Sequence, residues 1–196
     1  MLHSLDHCST VILAGGHSRR MGTCKALLTI AGETMLARLS RQLEEFGERL
    51  LSANDPMLAD GLSLAPVPDV YRGAGPLAGI HAALGAANSE MLFCVPCDMP
   101  NFTPALPRLL LERYRGEDAL VCRDSTGRLY PLCGFFTKTA LPALEAQLSQ
   151  GNYCAMALLD KLQCTVVDMD GLVPDSVFFN MNTPEEFREV NRNGWE

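Results

Sequence analysis

The stretch from Val11 to Leu28, VILAGGHSRRMGTCKALL, narrows the folds open to this chain more than any other. Val11, Ile12 and Leu13 form a short apolar run, the pattern of a strand buried on both faces in the interior of a parallel sheet. The run stops at Gly15-Gly16. Glycine there lets the chain turn through positive φ and lets a ligand reach the backbone with no Cβ in its way. Arg19, Arg20, Gly22 and Lys25 follow. Glycines and cations beside a strand's carboxyl end suit a polyphosphate, because free N–H groups form an anion nest and the cations offset its charge. Spacing excludes two common phosphate loops. Gly-x-Gly-x-x-Gly is missing, since Gly16 directly follows Gly15 and the next glycine is Gly22, and this removes a dinucleotide-dependent oxidoreductase from the candidates. The P-loop pattern fails because Thr23, not lysine, follows Gly22.

At 196 residues the chain suits one domain, 1–196, with a sizeable core. No apolar run approaches the roughly 20 residues a membrane helix needs. The opening MLHSLDHCST has neither a basic nor an apolar signal region, so the expectation is a cytoplasmic protein with no membrane partner. A net charge of −7 argues against nucleic acid, which demands a broad basic surface. Cations gathered at Arg19, Arg20 and Lys25 in an acidic chain read instead as a pocket for one small polyanion. The eight cysteines are scattered and are expected as reduced thiols. Cys94-x-x-Cys97 lies in an apolar strand, where positions i and i+3 point to opposite faces, and no second pair at metal spacing follows. The four histidines form no ligand spacing.

Strands alternate with helical patterns along the rest of the chain. Thr34 caps a helix expected to run to about Glu48, with Met35, Leu36, Leu39, Leu43 and Phe46 on one face. Strands are expected at 49–53, 62–65, 90–96, 119–122, 165–168 and 177–179, with a hairpin return at 129–136 through the turn Asp124-Ser125-Thr126-Gly127. The stretch 73–87 reads as a glycine-rich loop feeding a helix with Pro76 in its first turn, and further helices are expected at 103–114, 138–149 and 153–162. Thr183, Pro184 and Glu186 form a capping box with proline in the first turn, a specific helix start. The alternation implies α/β architecture: a single doubly wound, mainly parallel sheet with helices on both faces. Asp98 stands just past the strongest buried strand, where open α/β sheets place ligands.

The pattern L-A-G-G-x-x-x-R-M-G-x-x-K resembles the nucleotidyltransferase signature, in the form carried by the molybdenum cofactor guanylyltransferases. The likeness extends to Asn54, Asp69, Gly75-Pro76-Leu77-Ala78-Gly79, Pro96-Cys97-Asp98 and Asn180-x-Asn182-Thr183-Pro184-Glu185-Glu186, and so covers essentially the whole chain. It implies a Rossmann-like nucleotidyltransferase fold and transfer of GMP from GTP to molybdenum-loaded molybdopterin with release of pyrophosphate. It further implies nucleotide contacts from Leu13, Ala14, Gly15, Gly16, Lys25, Asn54, Asp69, Gly79 and Asp98. Lys25, Asp98 and Arg20 would carry the chemistry, Asp98 would hold Mg²⁺, and Asn180 and Asn182 would face the acceptor. Apo-molybdoenzymes and a GTP-binding accessory protein are the further partners it admits. On turn chemistry alone Asn54, Asp69, Asn180 and Asn182 also suit loops. Guanylyl members carry Leu-Ala-Gly-Gly where cytidylyl members tend to have Leu-Ala-Ala-Gly, so the resemblance favours GTP. Two positions depart from the family: Cys24 stands where an acid is common, and Asn152-Tyr153-Cys154 where paired arginines are common. The alternatives left open are a related transferase using CTP or another phosphorylated acceptor, and a nucleotide-binding assembly protein without transfer activity.

Overall fold

The computed structural model describes residues 4–15 and 24–193. Gly16, Arg19, Arg20 and Gly22 lie outside the described residues. Strand β1 (Ser9–Leu13) is buried at every position. It pairs in parallel with β4 (Glu48–Ser52) on one side and β6 (Met91–Pro96) on the other. Its side chains alternate between two cores. Ile12 joins Phe93, Val95 and Phe135 beneath one helical layer, whereas Val11 joins Leu92, Cys94 and Val121 beneath the other. The first layer is α1 (Met35–Gln42) and α3 (Ala105–Leu111), packed over an aromatic cluster in which Phe93 lies 5.1 Å from Phe135 and 5.7 Å from Phe46. The second is α2 (Pro76–Ala86), α4 (Leu141–Ser149) and α5 (Ala155–Leu159).

With β5 (Ala65–Val67), β7 (Ala119–Arg123), β8 (Leu129–Thr137) and β9 (Cys164–Asp168), the seven-stranded sheet runs β5-β4-β1-β6-β8-β7-β9. Only β8 runs against its neighbours. From β1 the chain winds outward to β4 and β5, then returns to β6 on the other side. The strand order therefore reverses between β1 and β6, the place where open α/β sheets leave a crevice at the strands' carboxyl ends. A small ribbon, β2 (Thr29–Ile30) with β3 (Glu33–Thr34), leads into α1, whose first turn is capped by the Thr34 hydroxyl accepting from the Ala37 N–H. The final helix, α6 (Pro184–Asn193), opens with the expected capping box: the Glu186 N–H donates to Thr183 Oγ1, and the Thr183 N–H donates to Glu186 Oε2 at 2.8 Å.

Several expected boundaries are corrected. Helix α1 ends at Gln42 rather than near Glu48; Leu43 and Phe46 stay buried, but the chain must turn at Gly47, where a Cβ would overlap the Asp6 carbonyl oxygen. The strand expected at 62–65 forms at Ala65–Val67, an edge position pairing with β4 alone, where Pro66 lacks only a donor the edge does not need. Helices α3 and α5 are shorter than their patterns suggest, and residues 138–140 form a 3₁₀ turn ahead of α4. Residues 175–178 form a 3₁₀ turn in place of a strand, with Val177 and Phe178 buried. Cys94 and Cys97 are buried in opposite layers, as their spacing predicts. Among the described residues no helix is long and apolar enough to cross a membrane.

Candidate active site

A cleft of about 490 Å³ opens at the carboxyl ends of β1, β4 and β6. Leu13, Ala14 and Gly15 form its floor, held by the Ala14 N–H donating to the Ser52 carbonyl at 2.7 Å and the Cys97 N–H donating to the Leu13 carbonyl at 3.1 Å. Gly15 takes no positive φ, contrary to the turn expected there. Among the described residues a Cβ on it would come nearest to Ser52 Oγ at 3.8 Å, with Asp69 Oδ2 at 4.0 Å. Among those residues there is room for an alanine here, so the bare backbone leaves space toward that wall.

On the β4 side stand Asn54, Asp69 and Ser52. Asn54 is exposed and its amide donates to the Gly15 carbonyl at 2.9 Å, tying the turn after β4 to the loop after β1. Asp69 is half-buried; burial raises its carboxyl above the usual range, and the Ser52 hydroxyl donating to Oδ1 at 3.2 Å pulls the other way. With Ser52 its one side-chain donor among the described residues, the carboxylate keeps lone pairs for ligand N–H or O–H groups.

Lys25, Asp98 and Asn182 meet at the centre. Lys25 Nζ donates to Asp98 Oδ2 at 2.8 Å and to Asn182 Oδ1 at 2.6 Å, joining positions 73 and 157 residues apart in the chain. The local reasons are visible. A 3₁₀ turn at Lys25–Leu27, anchored by buried Ala26, presents the lysine. Asp98 follows a strand buried up to its last residue. Met181 is fully buried beside Ile30 and Met35, and its N–H donates to the Asp98 carbonyl at 2.8 Å. In an extended segment, burying Met181 turns its neighbours Asn180 and Asn182 to the other side, into the cleft. Glu186 of the capping box accepts from the Asn182 N–H at 2.6 Å and so orients that segment. Asn180 Oδ1 is buried with no hydrogen-bond partner. Asp98 and the two amide oxygens form a hard-oxygen donor set suited to a divalent cation that draws its other ligands from phosphates and water.

The fourth wall was not foreseen. Because β8 is antiparallel, its beginning, not its end, reaches the cleft, and Arg128 to Cys133 line it. The β7–β8 ladder passes from Val121–Gly134 to Cys122–Tyr130, leaving Pro131, Leu132 and Cys133 out of register as a bulge. Bulges beside sites re-aim side chains in this way. The hairpin return at 129–136 is legible in the sequence, but that its start reaches the cleft depends on β8 running antiparallel to β6. Gly79, expected among the nucleotide contacts, does not line the cleft. It sits behind the floor, where a Cβ would collide with Ser52 Oγ and stand 3.1 Å from Leu13 Cδ2. Gly79→Ala is therefore expected to cost about 1–3 kcal/mol of stability in urea unfolding; unchanged stability would remove this packing role. Asn152 folds back on itself, its Oδ1 accepting from the Cys154 N–H, and the 152–154 segment brings no cation to the cleft.

Residues 10–165 match the MobA-like NTP transferase domain. The chain belongs to that family. Among relatives of this MobA-like chain, a protein of Pelotomaculum thermopropionicum named probable molybdenum cofactor guanylyltransferase is 37% identical over 181 residues, covering 90% of this chain and 88% of the relative. The molybdenum cofactor guanylyltransferase of Syntrophotalea carbinolica is 32% identical over 192 residues, covering 95% and 91%. In structure, the molybdopterin-guanine dinucleotide biosynthesis protein A of Archaeoglobus fulgidus superposes with a TM-score of 0.83 at 24% identity, covering 94% of this chain and 97% of that one. The same architecture extends to the 2-C-methyl-D-erythritol 4-phosphate cytidylyltransferase of Thermus thermophilus, at TM-score 0.71 and 18% identity over 94% and 97% of the two chains. The doubly wound nucleotidyltransferase fold expected from the sequence is thus the fold of this MobA-like chain.

Proposed function

We propose that this chain acts as one domain that transfers GMP from GTP to molybdenum-loaded molybdopterin, giving the guanine dinucleotide form of the cofactor and pyrophosphate. The observation that carries the reading is the meeting of Lys25, Asp98 and Asn182 at the β1/β6 switch point, in a family whose relatives carry guanylyltransferase names. The chemistry asks little covalent work of the protein. An oxygen of the acceptor's terminal phosphate attacks the α-phosphorus of GTP; the new P–O bond forms as the bond from the α-phosphorus to the α–β bridging oxygen breaks, and that oxygen leaves with pyrophosphate. No side chain need act as nucleophile. What the site must do is hold two polyanions in line and offset their repulsion.

In this reading the floor at Leu13, Ala14 and Gly15 lies under the nucleotide, and Asn54 and Asp69 take the base or ribose. Gly16, next in the sequence, would contact the nucleotide as well. Lys25 moves from Asp98 onto the triphosphate, with Arg20 as a second cation. Mg²⁺, held by Asp98 with Asn182 and Asn180 beside it, would supply charge neutralisation between the α-phosphate and the attacking group.

The test is incubation with GTP or CTP, Mg²⁺ and molybdenum-loaded molybdopterin, assaying pyrophosphate and dinucleotide together. GTP is expected to be clearly preferred. Gly15→Ala should fold normally, because its Cβ finds room, yet narrow that preference by filling space beside Asp69. Equal use of GTP and CTP by the wild type would overturn the guanylyl assignment.

A further inference from the structure

The proposed reaction brings together two anions, whereas the described central site offers one lysine already shared between Asp98 and Asn182. The bulged start of β8 supplies a further cation, on the other side of the cleft. Arg128 lines the cleft on the wall opposite Asn54 and Asp69, across the sheet from the nucleoside side. No carboxylate among the described residues pairs with its guanidinium, which instead lies 5.3 Å from the centre of the Tyr130 ring.

The side chain is exposed but its root is fixed. Asp124 accepts from the Arg128 N–H at 3.0 Å and donates its own N–H to the Arg128 carbonyl at 3.1 Å. The same carboxylate accepts from the Thr126 hydroxyl and N–H and from the Tyr130 hydroxyl at 2.8 Å. These donors, the Thr126 hydroxyl foremost, hold the Asp124 carboxyl down at about 2, so it stays ionised and locked to the hairpin. Tyr130 stacks on Phe178 at 4.5 Å, two residues before Asn180. One braced unit therefore carries the arginine and leads into the asparagine segment. Beside Arg128 the wall is apolar, through Leu129, Pro131 and Leu132.

A guanidinium with no carboxylate partner among the described residues, on a rigid root beside apolar surface and across from the nucleoside wall, is built to bind a phosphate attached to a flat organic body. We infer that Arg128 binds the terminal phosphate of the acceptor and that the β8 bulge forms the acceptor half of the cleft. This assignment rests on the guanylyl-transfer reading. It makes Arg128 a substrate-positioning residue: it sets where the attacking phosphate sits, while Lys25 and Asp98 act on the nucleotide.

The experiment is an equilibrium titration of molybdenum-loaded molybdopterin, and of the same pterin with its phosphate removed, into protein saturated with a non-hydrolysable GTP analogue. Wild type, Arg128→Ala and Arg128→Lys are compared. Both variants keep the backbone bonds to Asp124, and their melting temperatures should match the wild type. Arg128→Ala is expected to weaken binding of the phosphorylated pterin by about tenfold or more, the scale of one lost charge-assisted contact. Arg128→Lys should recover most of that loss. The dephosphorylated pterin should bind wild type and Arg128→Ala alike, because the contact it reports on is gone from both. Equal affinity of wild type and Arg128→Ala for the phosphorylated pterin overturns the assignment, as does an equal loss for both pterins. Weakened binding of the GTP analogue alone would move Arg128 to the nucleotide and also overturn it. A wild type that binds neither pterin fails the guanylyl-transfer reading itself, and this assignment with it.

Discussion

Asp98→Asn is expected to lower the single-turnover rate of GMP transfer by roughly 10²-fold or more while GTP affinity falls far less. The asymmetry follows from where the residue stands. Asp98 continues a strand whose residues 91–95 are all buried, and its carbonyl is fixed by the Met181 N–H. The carboxylate is thus delivered to one place with little freedom. Most contacts proposed for the nucleotide come from elsewhere, namely the loop after β1 and the β4 wall, so binding survives the loss of one charge. Asparagine keeps the size and still offers Lys25 Nζ an oxygen, so the lysine keeps a resting partner and stays free to move onto the triphosphate. What disappears is a negative charge next to the reacting phosphates, needed to anchor a cation as charge builds in the transition state. The measurement is single-turnover transfer at saturating Mg²⁺ beside a GTP titration of the same variant. Near-normal transfer would mean that Asp98 is only a loop residue pairing Lys25.

Lys25→Ala should act on the other term. It is expected to weaken GTP binding by about 1.5–3 kcal/mol, the usual worth of a hydrogen bond to a charged group. The structure adds a reason for the upper half of that range. Lys25 is only 16% exposed and is the shared donor of Asp98 Oδ2 and Asn182 Oδ1. Removing it leaves two oxygens without their donor, close to where a triphosphate must enter, so the change both deletes an attraction and exposes a repulsion. Arginine is a poor substitute, because a compact ammonium fits between two oxygens in a way a planar fork does not. Titration of GTP into the folded alanine variant decides the matter. Unchanged affinity would sink the assignment.

How much of this was legible beforehand depended on the range of the interactions involved. The buried strands β1 and β6 declared themselves through unbroken apolar runs, and their alternation with helices gave the doubly wound sheet, whereas the reversal of strand order between β1 and β6 needed the structure. Thr183 and Glu186 announced α6 because a capping box is a local device. By contrast, Leu43 and Phe46 kept a helical spacing although the helix ends at Gln42, since a contact with Asp6 at the far end of the chain forces the turn at Gly47. Val177 and Phe178 looked like a strand because burial beneath Tyr130 requires apolar residues in a 3₁₀ turn as well. In the site, Lys25 and Asp98 were readable from motif and strand end. Gly79 entered as a nucleotide contact only through the family resemblance; the structure places it behind the cleft floor against Ser52, a packing demand that also selects glycine. Arg128 was invisible, because only the antiparallel return of β8 and its bulge bring the residue to the cleft.

The central claim is that one cleft joins two phosphates directly, with no covalent stop on the protein. Single-turnover reaction of the wild type with GTP labelled at the α-phosphorus, Mg²⁺ and molybdenum-loaded molybdopterin tests it. The label is expected to pass into the guanine dinucleotide cofactor with the same time course as pyrophosphate release, with none trapped on the protein. Label on the protein, or label remaining in GTP or free GMP while no dinucleotide forms, would contradict it.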